Sequence, residues 1–282
     1  MTAFAEVQFG PSYTVAANIA KQYKISILYT YPEVDTSSGT TVYYDSAALI
    51  YKDGTTLTNY RKVNVVPGIE DTYFGFIRGS EVSEVVELDG VQIALAICFD
   101  SFFPEISRSV AINSAQLILI PTANGYPPTT FNQISQLIIP ARALENSATV
   151  IYTNWIQQLA DPYGGALTFY GDSVVYDGQA INLYTGGSNA SHAPGTIATL
   201  TLSFASPYEG NTANSNEGSG RPYGNYMNNN LCQNITTVLQ PIPGTFQWLQ
   251  SFVVIHVVIF ILPIYMLSNS TMLRFYTHDM IS

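Results

Sequence analysis

The residue best placed for covalent chemistry is Cys98. It ends the apolar strand pattern VQIALAIC and precedes FDSFFPE, a segment that can open a helix. Backbone N–H groups at the start of a helix lower the pKa of a nearby thiol and can hold an oxyanion. The position therefore favours a nucleophilic cysteine. Two other uses stay open here: an inert buried cysteine, or a disulfide with Cys232, the other of the chain's two cysteines.

Lys62 and Glu70 have the chemistry to support such a nucleophile. Lys62 lies in the strand pattern NYRKVNV, and no lysine follows it in the chain. A strand-end ammonium near a cysteine could stabilise a developing oxyanion, although a lysine in that position is more often simply solvated. Glu70 follows eight residues later, after Pro67-Gly68, where the chain could turn back beside Lys62. Taken singly, each of these signals is weak.

The elements that must position these residues mix strands and helices, which predicts an α/β layered fold. Helices are predicted over 13–24, 103–113 and 131–146. Strands are predicted over 25–33, 41–51, 56–65, 84–98 (two strands around Asp89-Gly90), 115–124 and 147–155, with two more flanking Asp177-Gly178. Lys52-Asp53-Gly54 is expected to form a hairpin turn. From 206 to 245 the composition changes to Asn, Ser, Gly and Pro, which predicts a linker.

A series of short motifs accompanies the three chemical residues: Pro32-Glu33, Tyr60-Arg61-Lys62, Pro67 and Glu70, Ile97-Cys98-Phe99-Asp100, Phe103-Pro104-Glu105, residues 141–146 (ARALEN), the strand ending at Asn154, and Gly171-Asp172-Ser173. In this order, and with 36 residues from Lys62 to Cys98, the series resembles the carbon–nitrogen hydrolase (nitrilase) superfamily. The resemblance covers roughly residues 13–205, so a domain is expected over 1–205.

The resemblance implies a four-layer α-β-β-α sandwich and a thiol mechanism. Cys98 would attack a carbonyl or nitrile carbon and form a thioester, while Lys62 stabilises the tetrahedral intermediate. A glutamate would move protons as general base and acid. Glu70 matches the supporting second glutamate of the family, which orients the lysine or the substrate. Arg142 and Glu105 are expected to form a structural ion pair rather than to touch the substrate.

The first glutamate of the family pattern has one candidate here, Glu6 in Phe4-Ala5-Glu6. It lies 56 residues before Lys62, a shorter spacing than the family shows. Alanine also replaces the proline of the family motif. The alternative is that the catalytic glutamate and the first strand of the sandwich lie upstream of Met1, so that the domain is truncated at its N-terminus.

Within the superfamily, the run from Lys62 to Glu70 is most similar to the apolipoprotein N-acyltransferase branch, and aliphatic amidases share its lysine-to-glutamate interval. The first hypothesis is therefore a membrane-anchored thiol enzyme. An amine resolving the Cys98 thioester would acylate a lipoprotein, with a phospholipid as acyl donor, and water would make the protein an amidase acting on a small amide. The second hypothesis is a catalytically inactive binding or structural module. Another copy of the chain is a further candidate partner.

Composition excludes several classes of protein. Charged residues make up 11% of the chain, against about 25% in ordinary soluble domains, and hydrophobic residues make up 47%. The formal net charge of −10 argues against a nucleic-acid surface, which needs basic residues to neutralise phosphates. Two cysteines and three scattered histidines predict no metal site, and no cofactor is expected. The length of 282 residues suffices for one large domain.

Part of the apolar excess lies in residues 246–267, which contain no Asp, Glu, Lys or Arg. About 20 such residues cross a bilayer as a helix, so this run is predicted to be a single transmembrane helix followed by the short tail 268–282. Arg274 places the tail in the cytoplasm and the catalytic domain in a lumenal or extracellular space. Glycosylation sequons at Asn189 and Asn234 agree with that side and predict a glycoprotein.

Overall fold

The computed structural model describes residues 4–125, 133–155, 171–186, 200–202 and 204 in full, and the backbone of 156–160, 166–170, 199, 237–238 and 257–260. The helices in these residues are α1 (Pro11–Tyr23), α2 (Pro104–Ile112) and α3 (Ile139–Asn146), the last preceded by a π-helical segment (Ile134–Ile138). The strands are β1 (Ser26–Asp35), β2 (Val42–Ile50), β3 (Thr56–Arg61), β4 (Val86–Leu88), β5 (Val91–Leu95), β6 (Leu117–Thr122), β7 (Thr149–Asn154), β8 (Ile156–Ala160), β9 (Ala166–Tyr170), β10 (Ser173–Tyr176), β11 (Asn182–Gly186), β12 (Thr199–Leu200), β13 (Thr237–Val238) and β14 (Val257–Phe260).

Two sheets contain most of these strands. The first has the order β14-β1-β2-β3, and the second has the order β11-β10-β7-β6-β5-β4. In the first sheet β1, β2 and β3 are antiparallel neighbours, whereas β5, β6 and β7 of the second sheet are parallel. Parallel strands need a crossover, and α2 and α3 supply it between β5 and β6 and between β6 and β7.

The first sheet packs on both of its faces because its strands are apolar at successive positions. Leu28 belongs to the cluster that joins the two sheets, together with Leu49 of the neighbouring strand. Ile27 and Tyr29, one position to either side of Leu28, belong instead to the cluster around Ala20 of α1. Successive side chains of a strand point to opposite faces, so this sheet lies between α1 and the second sheet.

The second sheet follows the same rule. Leu95 and Leu119 face the first sheet. Ala94 and Ile118, one position before each, pack in the cluster that contains Ala143 of α3 and residues of α2. The layers are therefore α1, first sheet, second sheet, and the pair α2 and α3. The four-layer α-β-β-α arrangement is confirmed.

The local signals at helix starts and turns explain most of the element bounds. Each of the helices α1, α2 and α3 has proline at its first or second position, where a missing N–H costs nothing. At the turn between β4 and β5, Asp89 has φ 49° and Gly90 has φ 86°. Two successive positive φ values are what an Asp-Gly hairpin turn provides.

Within residues 1–205, one predicted strand and one predicted helix differ from the observed elements. The strand predicted over 56–65 ends at Arg61, because the backbone N–H of Asn64 donates to the carboxylate of Asp100 and not to a neighbouring strand. The helix predicted over 131–146 is observed as the π-helical segment followed by α3, and residues 131–132 lie outside the described part.

The predicted linker 206–245 and membrane run 246–267 lie largely outside the described residues, as do the tail 268–282 and the sequon residues Asn189 and Asn234. Within the linker, β13 pairs antiparallel with β12. Within the membrane run, β14 pairs parallel with β1, so these four residues are extended where a helix was predicted. An uncharged run of Val, Ile and Phe satisfies either pattern. Within the described part of the chain, every helix is too short or too polar to span a bilayer.

Candidate active site

Cys98 lies at the first turn after β5, where a 3-10 helical turn (Cys98–Phe102) begins. Its φ is 47°, in the left-handed region that a non-glycine residue occupies at a cost of about 1–2 kcal/mol. The Ser101 hydroxyl donates to the Cys98 carbonyl at 2.7 Å and closes the turn. The turn therefore holds a free, partly exposed thiol at the end of a buried strand.

Asp100 ties this turn to the segment that carries the lysine. Its fully buried carboxylate accepts hydrogen bonds from the Ile97 backbone N–H (3.0 Å) and the Tyr60 hydroxyl (2.7 Å). It also accepts from the backbone N–H (2.9 Å) and side-chain amide (3.0 Å) of Asn64. One carboxylate thus connects the residue before Cys98 with residues on both sides of Lys62.

Lys62 is almost fully buried, at 1% exposure, and its ammonium lies between two carboxylates. Its Nζ is 2.6 Å from Glu70 Oε1 and 3.2 Å from Asp45 Oδ2. Its backbone N–H donates to the Asp45 carbonyl at 2.9 Å, which places the two residues side by side where β3 ends.

Glu70 reaches Lys62 because the chain turns back sharply after the strand. The Glu70 backbone N–H donates to the Val66 carbonyl at 2.9 Å, and the Val66 N–H donates to Glu70 Oε2 at 2.8 Å. Gly68 has φ +78°, which suits glycine at this tight turn. Both carboxylate oxygens of Glu70 are thereby engaged, one by Lys62 and one by Val66.

The charges in this cluster act on one another. Burial works to lower the pKa of Lys62, but the charges of Cys98, Asp45 and Glu70 outweigh it and raise that pKa, so the ammonium stays charged. Burial raises the pKa of the Cys98 thiol to about 11. The positive charge of Lys62 lowers this pKa, and the negative charges of Glu70 and Asp45 raise it further. At neutral pH, Cys98 is therefore a thiol that needs a proton acceptor to become a nucleophile.

Arg142 supports the Cys98 turn from α3. Its guanidinium donates to the backbone carbonyls of Ser101 (2.9 Å) and Phe102 (3.2 Å). Its ion pair is with Glu145, at 2.9 Å and one helical turn away. The predicted ion pair with Glu105 is wrong, because the guanidinium turns toward the nucleophile turn while Glu105 is exposed in the first turn of α2.

The structure does not bring Glu6 to this cluster. The Glu6 carboxylate accepts from the backbone N–H and hydroxyl of Ser12, at 2.8 and 2.9 Å, in the first turn of α1. Its backbone forms a parallel bridge with Glu33 of β1. Capping a helix start with a carboxylate is a stabilising structural use. The sequence-predicted set is therefore assembled as Cys98, Lys62 and Glu70, without Glu6.

Glu33 and Arg61 form a separate network next to the site. Arg61 pairs with Glu33 and with Asp35, the latter at 2.8 Å. Glu33 also accepts from the Ser46 hydroxyl at 2.7 Å and the Asn59 amide at 3.0 Å. This partly buried network links β1, β2 and β3 and holds the end of the first sheet from which Lys62 extends.

Asp45 is the residue that sequence reasoning missed. The antiparallel pairing of β2 with β3 could have indicated it. Ser46 faces Arg61, so the next pair in the same register is Asp45 and Lys62. A register derived from the hairpin turn alone would not pair Asp45 with Lys62, because the pairing shifts by one residue between Leu49 and Ile50. A β-bulge of this kind changes which residues of the two strands face each other.

The metal and disulfide alternatives concern residues that the structure describes only in part. They contain no group of three or more His, Cys, Asp or Glu side chains that could hold a metal ion. Cys232, the other candidate for a disulfide with Cys98, lies outside the described part of the chain. What this site can do chemically is attack an electrophilic carbon with a thiol beside a fixed ammonium.

Comparisons with known proteins identify a family and several similar proteins. A family model described as carbon–nitrogen hydrolase matches residues 1–203. The "Hydrolase in pqqF 5'region" of Pseudomonas protegens is 38% identical over 153 residues, covering 54% of this chain and 51% of that protein. The N-carbamoylputrescine amidase of Solanum lycopersicum is 29% identical over 174 residues, covering 58% and 56%. The chain spans about half the length of these curated relatives.

A solved structure with a similar fold is the amidase of Nesterenkonia sp., with a TM-score of 0.54 and 28% identity, covering 63% of each chain. One variant of that amidase carries acrylamide added at its active-site cysteine.

Proposed function

This chain belongs to the carbon–nitrogen hydrolase family, and from that premise we propose that it breaks the carbon–nitrogen bond of amides through a thioester on Cys98. The observation that carries the proposal is the buried Lys62 ammonium. It is fixed by Glu70 at 2.6 Å and it acts electrostatically on the thiol of Cys98. A fixed positive charge beside a nucleophile is what a developing oxyanion requires.

The first half of the proposed reaction forms the thioester. The sulfur of Cys98 bonds to the amide carbon, and the carbonyl oxygen gains negative charge, which the Lys62 ammonium stabilises. The C–N bond then breaks, and its electron pair leaves on nitrogen, which takes up the proton that the thiol lost. Glu70 keeps the ammonium in place while the charge on oxygen rises and falls.

The second half releases the acyl group. Water attacks the thioester carbon, the C–S bond breaks, and sulfur recovers a proton to restore the thiol. Amidases among the relatives support water as the acceptor. Transfer of the acyl group to an amine, as in N-acylation of a lipoprotein with a phospholipid donor, is the competing outcome of the same intermediate.

The test is covalent trapping on the full chain. The protein is incubated with a panel of small amides and with phospholipid vesicles, and released amine and acyl adducts are measured by mass spectrometry. We expect an adduct on Cys98 in the wild-type chain and in Cys232→Ala, a matched control that removes the other cysteine. Cys98→Ala should carry none.

The absence of both released amine and an adduct with every amide and phospholipid would overturn the enzyme proposal and leave the inactive binding module. Adducts that resolve only when an amine is added would favour acyl transfer over hydrolysis. Adducts on Cys232 alone would remove Cys98 from the mechanism.

We also propose that residues 246–267 attach the chain to a membrane, with the domain on the lumenal or extracellular side. The support is the uncharged composition of this run, the single Arg274 in the tail, and the sequons at Asn189 and Asn234. Four residues of the run pair with β1 in the structure, and a segment cannot both lie in that sheet and cross a bilayer.

Carbonate extraction of membranes tests the attachment. The full chain should stay in the membrane pellet, and a chain lacking 246–282 should be released. Asn189→Gln and Asn234→Gln should remove any glycosidase-sensitive mass. Release of the full chain by carbonate would refute the anchor.

A further inference from the structure

The hydrogen-bond ladder between β5 and β6 stops just before it reaches Cys98. Among the described residues, its last bond joins the Ala96 N–H to the Leu119 carbonyl, at 3.0 Å. The alternation of a parallel ladder assigns the next donor to residue 121, which is proline and has no N–H. The chain that follows β6, residues 123–125, is therefore not held beside the nucleophile by pairing with β5.

Asn154, the last residue of β7, holds this segment. Its Oδ1 accepts from the Asn124 backbone N–H at 2.8 Å, and its Nδ2 donates to the Asn124 carbonyl at 3.3 Å. Nδ2 also donates to the Gly171 carbonyl at 2.9 Å, two residues before β10 begins. Asn154 is 6% exposed, so water competes little for these bonds. One buried amide thus connects the ends of β6 and β7 with the start of β10.

The residue next to this clamp carries a donor to the nucleophile. The Ala123 backbone N–H donates a hydrogen bond to the sulfur of Cys98, and this bond lowers the pKa of the thiol against the larger effect of burial. A hydrogen bond to sulfur favours the thiolate, because the bond is stronger when its acceptor is charged. Since Ala123 and Asn124 are consecutive, the position of Asn124 determines where the Ala123 N–H points.

We propose that Asn154 is a positioning residue for the nucleophile. It clamps Asn124 so that the Ala123 N–H stays directed at the sulfur. The inference rests on the proposed function and deepens it, because this sulfur both attacks the amide carbon and leaves the thioester. Sulfur is most negative before the S–C bond forms and again as that bond breaks, and the N–H stabilises it at both points. No proton passes through the clamp.

The competing role for Asn154 is purely structural, as an amide that joins strand ends. Both roles predict lower stability when the amide is removed, so stability does not separate them. The titration of Cys98 does, because only the positioning role changes the hydrogen bond to sulfur. A neutral substitution at Asn154 also leaves the charges around the sulfur unchanged. Among the described residues, the titratable groups that act on this sulfur are Lys62, Glu70, Asp45 and Tyr152.

The experiment measures the reaction of Cys98 with the thiol reagent dithiodipyridine in the full chain carrying Cys232→Ala. Stopped-flow pH jumps, from about pH 7 to about pH 12, record the rate before the chain unfolds. In this background the rate should rise through one step at the thiol pKa. Asn154→Leu should move that step up by about one pH unit, the effect of one lost hydrogen bond to a charged group.

The rates on either side of the step carry the distinction. Below the step, Asn154→Leu should react about threefold more slowly, because the smaller fraction of thiolate outweighs its higher nucleophilicity. Above the step the two chains should react at similar rates, whereas a displaced thiol would stay slow at every pH. Amide turnover should follow, with kcat at neutral pH lowered about three- to tenfold and KM within about twofold, since sulfur and not the bound amide loses a contact.

Three further variants complete the test. Ala123→Pro deletes the donor itself and leaves Asn154 intact, so its step should move in the same direction. Ser83→Ala is the control, because it removes a buried hydroxyl that accepts from the Leu95 N–H of β5 at 3.0 Å. It should lower stability without moving the step. Asn154→Ser keeps a shorter polar group in the buried site, so it tests the inference if Asn154→Leu does not fold.

The inference is wrong if the step of Asn154→Leu stays at the wild-type pH, if Ala123→Pro does not share the shift, or if Ser83→Ala shifts as far. A deficit of equal size at every pH would also overturn it, because the clamp would then only keep the thiol accessible. A wild-type chain without amide turnover would count against the proposed function, while the thiol titration would still decide the role of Asn154.

Discussion

Lys62 is buried at 1% exposure, so carboxylates rather than water must balance its charge. Glu70 provides the shorter contact, at 2.6 Å, and Asp45 the longer, at 3.2 Å. Removing one partner of a buried pair leaves the other partly uncompensated, which costs more than the pair contributes when intact. Both carboxylates are therefore expected to matter for stability as well as for chemistry.

Glu70→Ala should lower the free energy of unfolding by about 3 kcal/mol, because it removes the nearer partner of a buried ammonium and the acceptor of the Val66 N–H. Urea denaturation followed by circular dichroism measures this. Glu81→Ala, which truncates an exposed glutamate, should stay within about 0.5 kcal/mol of wild type. Equal losses in the two variants would show that Glu70 does not hold Lys62.

At the residue scale, the family resemblance of the sequence singled out Cys98, Lys62 and Glu70, and the structure brings these three residues together, while their catalytic roles stay predictions. The sequence was not enough for Asp45, whose position depends on the pairing of two strands and on the register shift between them. For Glu6, the sequence setting does not reveal that its carboxylate accepts a hydrogen bond from the Ser12 N–H.

The turn that carries Cys98 is an element under strain, and two side chains hold it. Asp100 fixes its start through the Ile97 N–H, and Arg142 fixes its end through the carbonyls of Ser101 and Phe102. A residue other than glycine keeps a left-handed backbone conformation only where the surrounding structure enforces it. Asp100 and Arg142 enforce it here, because their hydrogen bonds hold both ends of the turn.

Arg142→Met should slow alkylation of Cys98 by about tenfold, because the turn loses hydrogen bonds worth about 1 kcal/mol each and Cys98 can leave its left-handed conformation. Arg78→Met, which changes an exposed arginine, is the control and should alkylate at the wild-type rate. An unchanged rate in Arg142→Met would show that Asp100 alone holds the turn.

At the element scale, strand and helix positions followed from apolar patterns and turn residues. The Asp89-Gly90 hairpin and the proline at the start of α2 are examples. The early end of β3 could not be predicted, because the acceptor that diverts Asn64 is Asp100, which is 36 residues away in the sequence. Tertiary hydrogen bonds of this kind override local propensity.

The whole molecule depends on the layer between its two sheets. Leu95 is fully buried there, in contact with side chains of both sheets. Family resemblance, more than residue patterns, predicted this arrangement, since period-two alternation shows that a strand is buried but not which sheet covers it. The site sits where strands of the two sheets end, with Lys62 after β3 and Cys98 after β5.

Leu95→Ala should reduce the free energy of unfolding by about 2–5 kcal/mol, the cost of a cavity in a core that cannot collapse. The matched change Leu144→Ala, at a leucine of α3 that is 58% exposed, should cost far less. Chemical denaturation of both variants makes the comparison. A small effect of Leu95→Ala would mean that the two sheets repack easily.

The pairing of β14 with β1 has a consequence for association between molecules. Without β14, residues 26–29 of the buried strand β1 would lose their partner on this side and offer unpaired N–H and C=O groups to another chain. If β14 stays paired with β1 in solution, a chain ending at residue 245 should aggregate with rising concentration in light scattering, whereas deletion of 268–282 should not cause this. If residues 246–267 cross a bilayer instead, the shortened chain should be monodisperse, so colloidal behaviour distinguishes the two placements of this segment.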